Sequence, residues 1–182
     1  MRDSVRLVTV LTVIAVLSGL VLAFTFVSTE EEIALHQAEA KKAAVSQVLG
    51  GLQDYQAVER NGQEFYQGEL EGDRVVALEV SGSGFQGQIR LMAGFNLSEQ
   101  RIIGIKILEH LETPGLGARI TGDFKDQFAG KKIFDSYQVV KTEAKSNKQI
   151  EAISGATISS NAVTSIVMKA VGLVNQEFGG EL

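Results

Sequence analysis

Between Leu7 and Val27 the chain carries no charged residue, and 16 of these 21 positions are apolar, the others being Thr, Ser and Gly. A helix of that length, rising about 1.5 Å per residue, spans about 30 Å, the hydrocarbon thickness of a bilayer. Arg2 and Arg6 precede the run, and Glu30, Glu31 and Glu32 follow it. The positive-inside rule then leaves residues 1–6 in the cytoplasm, passes residues 7–27 once through the cytoplasmic membrane, and places the rest on the outer, periplasmic side. The alternative is a cleaved signal peptide. For that role the apolar core is too long, and no convincing small-x-small cleavage site precedes Ser28. The span holds no ionisable residue of the kind that marks an ion pathway. The chain alone is therefore not expected to translocate ions, although Ser18 and Gly19 offer small surfaces for packing against other helices.

About 155 residues remain, enough for one sizeable core. Residues 28–51 read as an Ala-rich helix stopped by Gly50 and Gly51, either a stalk or a first helix packed on the domain. Residues 52–182 form the domain itself. Val76, Leu78 and Val80 alternate, as do Ile89, Leu91, Ala93 and Phe95, and then Ile103, Ile105 and Ile107. This period of two predicts strands, with a hairpin connection at 96–100. Residues 121–128 read as a short helix carrying Phe124 and Phe128, residues 132–140 as a weaker strand, and residues 142–148 as a loop. Val163, Ile166, Val167, Ala170, Val171, Val174 and Phe178 recur at steps of three and four, one face of an amphipathic helix. Ser159, Ser160 and Asn161 are its N-cap candidates, and Gly179-Gly180 its stop. The expected class is α+β: one N-terminal transmembrane helix, then an α+β domain with a mainly antiparallel sheet.

Composition narrows the chemistry. With no Cys, the chain has no disulfide, no thiolate metal site and no cysteine-held cluster. His36 and His110 stand far apart, so no metal site is expected. A net charge of −5 argues against nucleic acid as partner. Gly82-Ser83-Gly84-Phe85-Gln86-Gly87 has the spacing Gly-x-Gly-x-x-Gly, but the pattern predicts a strand after it and not a helix, so no nicotinamide site is expected, and there is no acid–base pair of a complete active site. No catalytic residue is assigned. What stands out is Ser154-Gly155-Ala156-Thr157-Ile158-Ser159-Ser160, between the apolar run 150–153 and the final helix. Small residues let a ligand approach the backbone, and a helix N-terminus offers unpaired amides and a positive dipole end. On the residues alone, an anion site and a ligand-free helix cap both remain open.

Ser154-Gly155-Ala156-Thr157 followed by Ile158-Ser159-Ser160 closely resembles the attachment motif of the FMN-binding domain family. Glu112-Thr113-Pro114-Gly115-Leu116-Gly117 is similar to the family's second flavin-contacting loop, and Gly82-Ser83-Gly84-Phe85-Gln86-Gly87 resembles its Gly-aromatic-Gly hairpin. The three motifs stand in the family's order, behind an N-terminal anchor. The resemblance implies that 52–182 is an FMN-binding domain and that FMN is held covalently, its phosphate esterified to Thr157. It implies that Ser154, Gly155, Ala156, Ile158, Ser159, Glu112, Thr113, Gly115 and Leu116 complete the cofactor site. It also implies a flavin transferase that uses FAD and reads an acidic residue three positions before the motif, here Glu151 where the family typically has Asp. Within the family the short, singly anchored chain is most similar to the G subunits of Rnf-type ferredoxin:NAD oxidoreductases, which couple electron transfer to sodium or proton transport. Other membrane and redox subunits are then its partners, and electron relay its function. The C subunit of a sodium-translocating NADH:quinone reductase is the close alternative, another anchored FMN module a further one, and a flavin-free anchored scaffold the alternative of a different class. Arg119 and Lys131 read as solvated charges, or as groups that stabilise reduced flavin.

Overall fold

The computed structural model describes residues 2–180. Met1, at the expected cytoplasmic end, and Glu181 and Leu182, at the end of the expected domain, lie outside the described residues. The chain divides into two compact units, Met1–Ala40 and Lys41–Leu182.

The first unit is helical, part of helix α1 (Arg2–Val48). Its large apolar side chains from Val5 to Val27 are exposed along the whole run. The hydroxyls of Thr9, Thr12 and Thr25 donate to the carbonyls of Val5, Val8 and Val21, each at 2.9 Å. This satisfies the three threonine hydroxyls of the span within the helix, as a hydrocarbon environment favours. The final helix is also apolar enough to cross a membrane, but half of it is buried inside the second unit, where it is a core element.

The second unit is built on five consecutive antiparallel strands: β1 (Gln56–Arg60), β2 (Gln63–Leu70), β3 (Asp73–Ser83), β4 (Gln88–Asn96) and β5 (Arg101–Glu109), in that spatial order. A parallel pair, β6 (Gln138–Val140) and β7 (Gln149–Glu151), and helix α2 (Thr157–Phe178) follow. This is the expected α+β class with a mainly antiparallel sheet.

Both faces of the sheet are covered. On one, Phe65, Val76, Leu78, Leu91, Phe95 and Ile105 pack with the apolar stripe of α2 and with Phe124, Phe128 and Ile133. On the other, Tyr66, Val75, Ala77 and Met92 pack with Ala44, Val45, Val48 and Leu49 from the end of α1 and the residue after it. Covering both sides explains why Val75 to Leu78 are buried without interruption rather than alternating. The contact on the α1 side is close. A Cβ built on Gly94 would stand 2.0 Å from the Val48 carbonyl oxygen, so the end of α1 rests on bare backbone there. Lys41 adds ion pairs to Glu64 at 3.0 Å and Glu79 at 3.3 Å.

Several elements differ from the sequence expectation. β1 and β2 are additional strands, joined by Asn61-Gly62 with φ of 49° and 76°, the backbone of a two-residue hairpin turn. In β5 the pairing shifts between Gly94 and Phe95, which face Gly104 and Ile102 respectively. The irregularity at Ile103 resets the alternation, so Ile102 rather than Ile103 joins Ile105 and Ile107 on the α2 side. Residues 121–128 are not one helix. They divide between two 3-10 turns, Gly117–Thr121 and Asp123–Phe128. Of the 132–140 strand only Gln138–Val140 is regular, while Lys132 makes a single bridge to Arg101. Gly94→Ala should therefore lower the stability of the full chain in detergent by about 1–3 kcal/mol, the usual cost of overpacking. Chemical denaturation followed by circular dichroism reads this, and an unchanged midpoint would mean that the end of α1 does not rest on the sheet.

Candidate functional site

The site is organised by one carboxylate. Glu112 follows β5 and is 4% exposed. Its Oε1 accepts hydrogen bonds from the amides of Phe85, at 2.7 Å, and Gln86, at 3.2 Å, in the β3–β4 hairpin loop. Its Oε2 accepts a hydrogen bond from the hydroxyl of Ser159 in the first turn of α2. Three segments distant in sequence are thus tied to one side chain. The surrounding glycines leave it room. A Cβ on Gly84 would approach Oε1 to 2.3 Å, and one on Gly117 would approach Oε2 to 2.8 Å. Burial alone pushes the Glu112 carboxyl up. The bonds from Ser159 and the two amides outweigh this, with a smaller contribution from His110, and hold it below the ordinary value of 4.5.

The start of α2 lies beside this clamp. Ser159, Ser160 and Asn161 do not cap the helix, which begins earlier, with Ala156 at the N-cap position and Thr157 as its first residue. The apolar run 150–153 sets this start: Ile153 is buried, its carbonyl accepts the Ala156 amide at 2.9 Å, and its own amide donates to Ser160 Oγ at 3.0 Å. The first intrahelical bond runs from the Ser160 amide to the Ala156 carbonyl. The amides of Thr157, Ile158 and Ser159 therefore precede the helical ladder. Gly155 takes φ +80°, a left-handed conformation that turns the chain into the helix. The hydroxyls of this turn have separate fates. Ser159 donates to Glu112, and Ser160 donates to the Ala156 carbonyl. Thr157 is half-buried, and its hydroxyl has no hydrogen-bond partner among the described residues.

A pocket of about 290 Å³ opens here, lined by Glu112, Thr113, Leu116, Gly155, Ala156, Thr157, Ile158 and Ser159. Eight of the ten residues singled out in the sequence thus meet at one place. The other two, Gly115 and Ser154, line an adjoining cleft of about 820 Å³. Phe85 and Gly117 complete the pocket. Both lie in segments that the sequence motifs mark, although neither is among the ten. Glu112 lines the pocket, but its oxygens are engaged by the domain's own donors. Phe85, Leu116 and Ile158 are 59%, 47% and 57% exposed, an apolar lining around an otherwise polar helix start. That combination fits an amphipathic ligand with an anionic end: apolar side chains for a ring system, free amides and a hydroxyl for a phosphate. Arg119 lines the adjoining cleft. Lys131 lies elsewhere, donating to the carbonyls of Asn147 and Gln149, and burial lowers its pKa.

The architecture and the three converging segments make an α+β domain with a ligand pocket at the start of its last helix, and residues 84–172 match the FMN-binding domain family. The chain is 32% identical over 191 residues to the G subunit of the ion-translocating oxidoreductase complex of Methanosarcina acetivorans, covering 98% of both chains. It is 32% identical over 174 residues to the G subunit of the proton-translocating ferredoxin:NAD(+) oxidoreductase complex of Clostridium ljungdahlii, covering 94% of this chain and 91% of that one. The chain belongs to this family of G subunits. Among solved structures it shares its fold with the C subunit of the Na(+)-translocating NADH-quinone reductase of Parabacteroides distasonis, with a TM-score of 0.61 at 21% identity, covering 74% of this chain and 90% of that one. With α1 apolar along its first half and relatives drawn from ion-translocating complexes, it is a membrane-anchored protein.

The Glu112 clamp has a signature in pH. A carboxyl held below its ordinary value contributes stability that is complete above 4.5 and is lost as pH falls through the depressed value. Glu112→Gln should cost about 1–3 kcal/mol at neutral pH, and the difference from wild type should shrink below pH 4.5. Denaturant titrations at several pH values test this, and a difference independent of pH would remove the carboxylate's charge from the account.

Proposed function

We propose that this chain carries FMN esterified through its phosphate to Thr157 and relays electrons within an Rnf-type ferredoxin:NAD oxidoreductase complex coupled to sodium or proton transport. The observation that carries the site is the distribution of hydroxyls in the first turn of α2. Ser159 and Ser160 are committed to internal hydrogen bonds, whereas the Thr157 hydroxyl faces the pocket unpartnered. A phosphate ester at Thr157 stands at the positive end of a 22-residue helix, beside three amides outside its ladder. Phe85, Leu116 and Ile158 then serve as the apolar contacts of the flavin ring, and Thr113 with the backbone of the 112–117 loop as its polar ones. When bound, the flavin supplies electron transfer, with a potential set by such contacts and by nearby charge. A covalent link suits a domain on the outer side of the membrane, where lost FMN is not readily replaced.

The partners follow from this role. The relatives named above belong to complexes of several subunits, so electrons arrive from and leave to redox groups on other chains, and a flavin transferase loads this one. We place residues 1–6 in the cytoplasm, residues 7–27 in the membrane, and outside it residues 28–51 as the helical stalk or first helix and residues 52–182 as the domain.

Two experiments test this reading. In cells that also express the transferase, Thr157→Ala should lose denaturation-resistant flavin while its stability changes by about 0.5 kcal/mol or less, as expected for a partly exposed position. Stoichiometric FMN that survives denaturation of that variant would overturn the assignment. For orientation, the absence of native Cys makes single introduced thiols clean reporters. Ser136→Cys should react with a membrane-impermeant maleimide in intact cells, and Ser4→Cys only after permeabilisation. The reverse pattern would invert the topology.

A further inference from the structure

The segment that leads to Thr157 is held from outside by a side chain that no sequence motif marks. Gln127 lies in the second 3-10 turn, between Phe124 and Phe128. Those two rings are buried and meet edge to face at 5.8 Å, which pins the turn to the core. The Gln127 carboxamide faces the outer edge of β7. Its Oε1 accepts the Glu151 amide at 2.7 Å, and its Nε2 donates to the Glu151 carbonyl at 3.1 Å. One side chain thus forms both hydrogen bonds that a neighbouring strand would form with this residue. The next residues are fixed in turn: the Ala152 amide donates to the Val140 carbonyl at 2.8 Å, and the Ile153 amide to Ser160 Oγ.

The Glu151 main chain is thereby fixed on both sides, while its side chain is exposed. It lines the 820 Å³ cleft with Gln127, Arg119, Lys141 and Ser154. None of Glu151, Arg119 and Lys141 has an ion-pair partner among the described residues. The cleft adjoins the Thr157 pocket through consecutive residues, Ser154 on one side and Gly155 on the other. Such a rigidly presented, unpartnered carboxylate suits recognition by another protein better than it suits stability. The backbone it rests on is at a water-accessible edge, where solvent can replace the lost bonds.

We propose that Gln127 is a positioning residue for flavin loading: it fixes Glu151 in the orientation that a flavin transferase docks against in this cleft. The inference rests on Thr157 as the attachment residue. In the transfer, the Thr157 oxygen forms a bond to the flavin-side phosphorus of FAD. The phosphoanhydride bond to the adenylate breaks, AMP leaves, and the hydroxyl proton passes to solvent or to a base of the transferase. No electrons are exchanged in this step. Gln127 touches none of the reacting atoms and acts through Glu151.

The test measures initial rates of covalent flavin incorporation into the detergent-solubilised full chain, with purified transferase and FAD, over a range of chain concentrations. Gln127→Ala should lower kcat/KM at least tenfold, mainly through KM, while the circular dichroism spectrum and thermal midpoint stay near wild type. Glu151→Ala should show a similar loss, and the double variant should be no worse than Glu151→Ala, since the two residues act as one unit. Wild-type kcat/KM in Gln127→Ala, or losses that multiply in the double variant, would overturn the proposal. A rate loss that tracks thermal destabilisation, and disappears at a temperature where all variants are folded, would also overturn it. A wild-type chain that takes up no flavin would instead overturn the assignment of Thr157 on which the proposal rests.

Discussion

The Glu112 carboxylate is the contact on which the site depends. The apolar core packs the final helix on the sheet, and the carboxylate adds the polar tie that joins the hairpin loop to the first turn of that helix at the pocket. Its two oxygens collect two loop amides and one helix hydroxyl. Buried as it is, it would be costly to leave unpaired. It also accounts for the small residues around it, since Gly84 and Gly117 lie where any side chain would collide with its oxygens. A charged side chain at this position therefore sets the shape of the pocket even though its oxygens face inward.

The same clamp determines which hydroxyl is available. By engaging Ser159, it removes that residue from the set of possible phosphate acceptors, and the Ser160 bond to Ala156 removes another. Thr157, at the first position of the helix, is left facing the pocket. The proposed attachment and the fold are therefore linked: the hydrogen bonds that seat the helix also leave Thr157 as the unengaged hydroxyl of its first turn. The exposed apolar residues at the pocket, a liability on a bare surface, are the contacts that the proposed function assigns to a planar ring.

Much of this is legible in the residues because it is local. The charge-free run Leu7–Val27, the alternation in β3 and β4 and the three- and four-residue stripe of α2 are each read along a single element. The motifs also converge as expected, because loops at one end of a meander and the start of the covering helix meet at the same edge. What is not legible depends on tertiary packing. β1 has only Ala57 and Val58 as apolar residues, and β2 sets Phe65 next to Tyr66 among Gln and Glu, so neither shows a clean apolar face, although Asn61-Gly62 is a turn signal in plain sight. The irregularity at Ile103 breaks a period that the sequence displays intact. The start of α2 lies ahead of its serines because those hydroxyls have partners in other segments, which a capping rule cannot see. Gln127 carries no local signal, since its role exists only where the second 3-10 turn passes the edge of β7.

A covalent flavin on Thr157 is what joins the open hydroxyl, the unpaired amides and the apolar pocket into one proposed function. The most direct measurement is the intact mass of the wild-type chain after co-expression with an active flavin transferase, followed by peptide mapping. The expected result is one added FMN less water per chain, with the added mass confined to the peptide that contains Thr157. An unmodified mass, or the modification on a different residue, would contradict it.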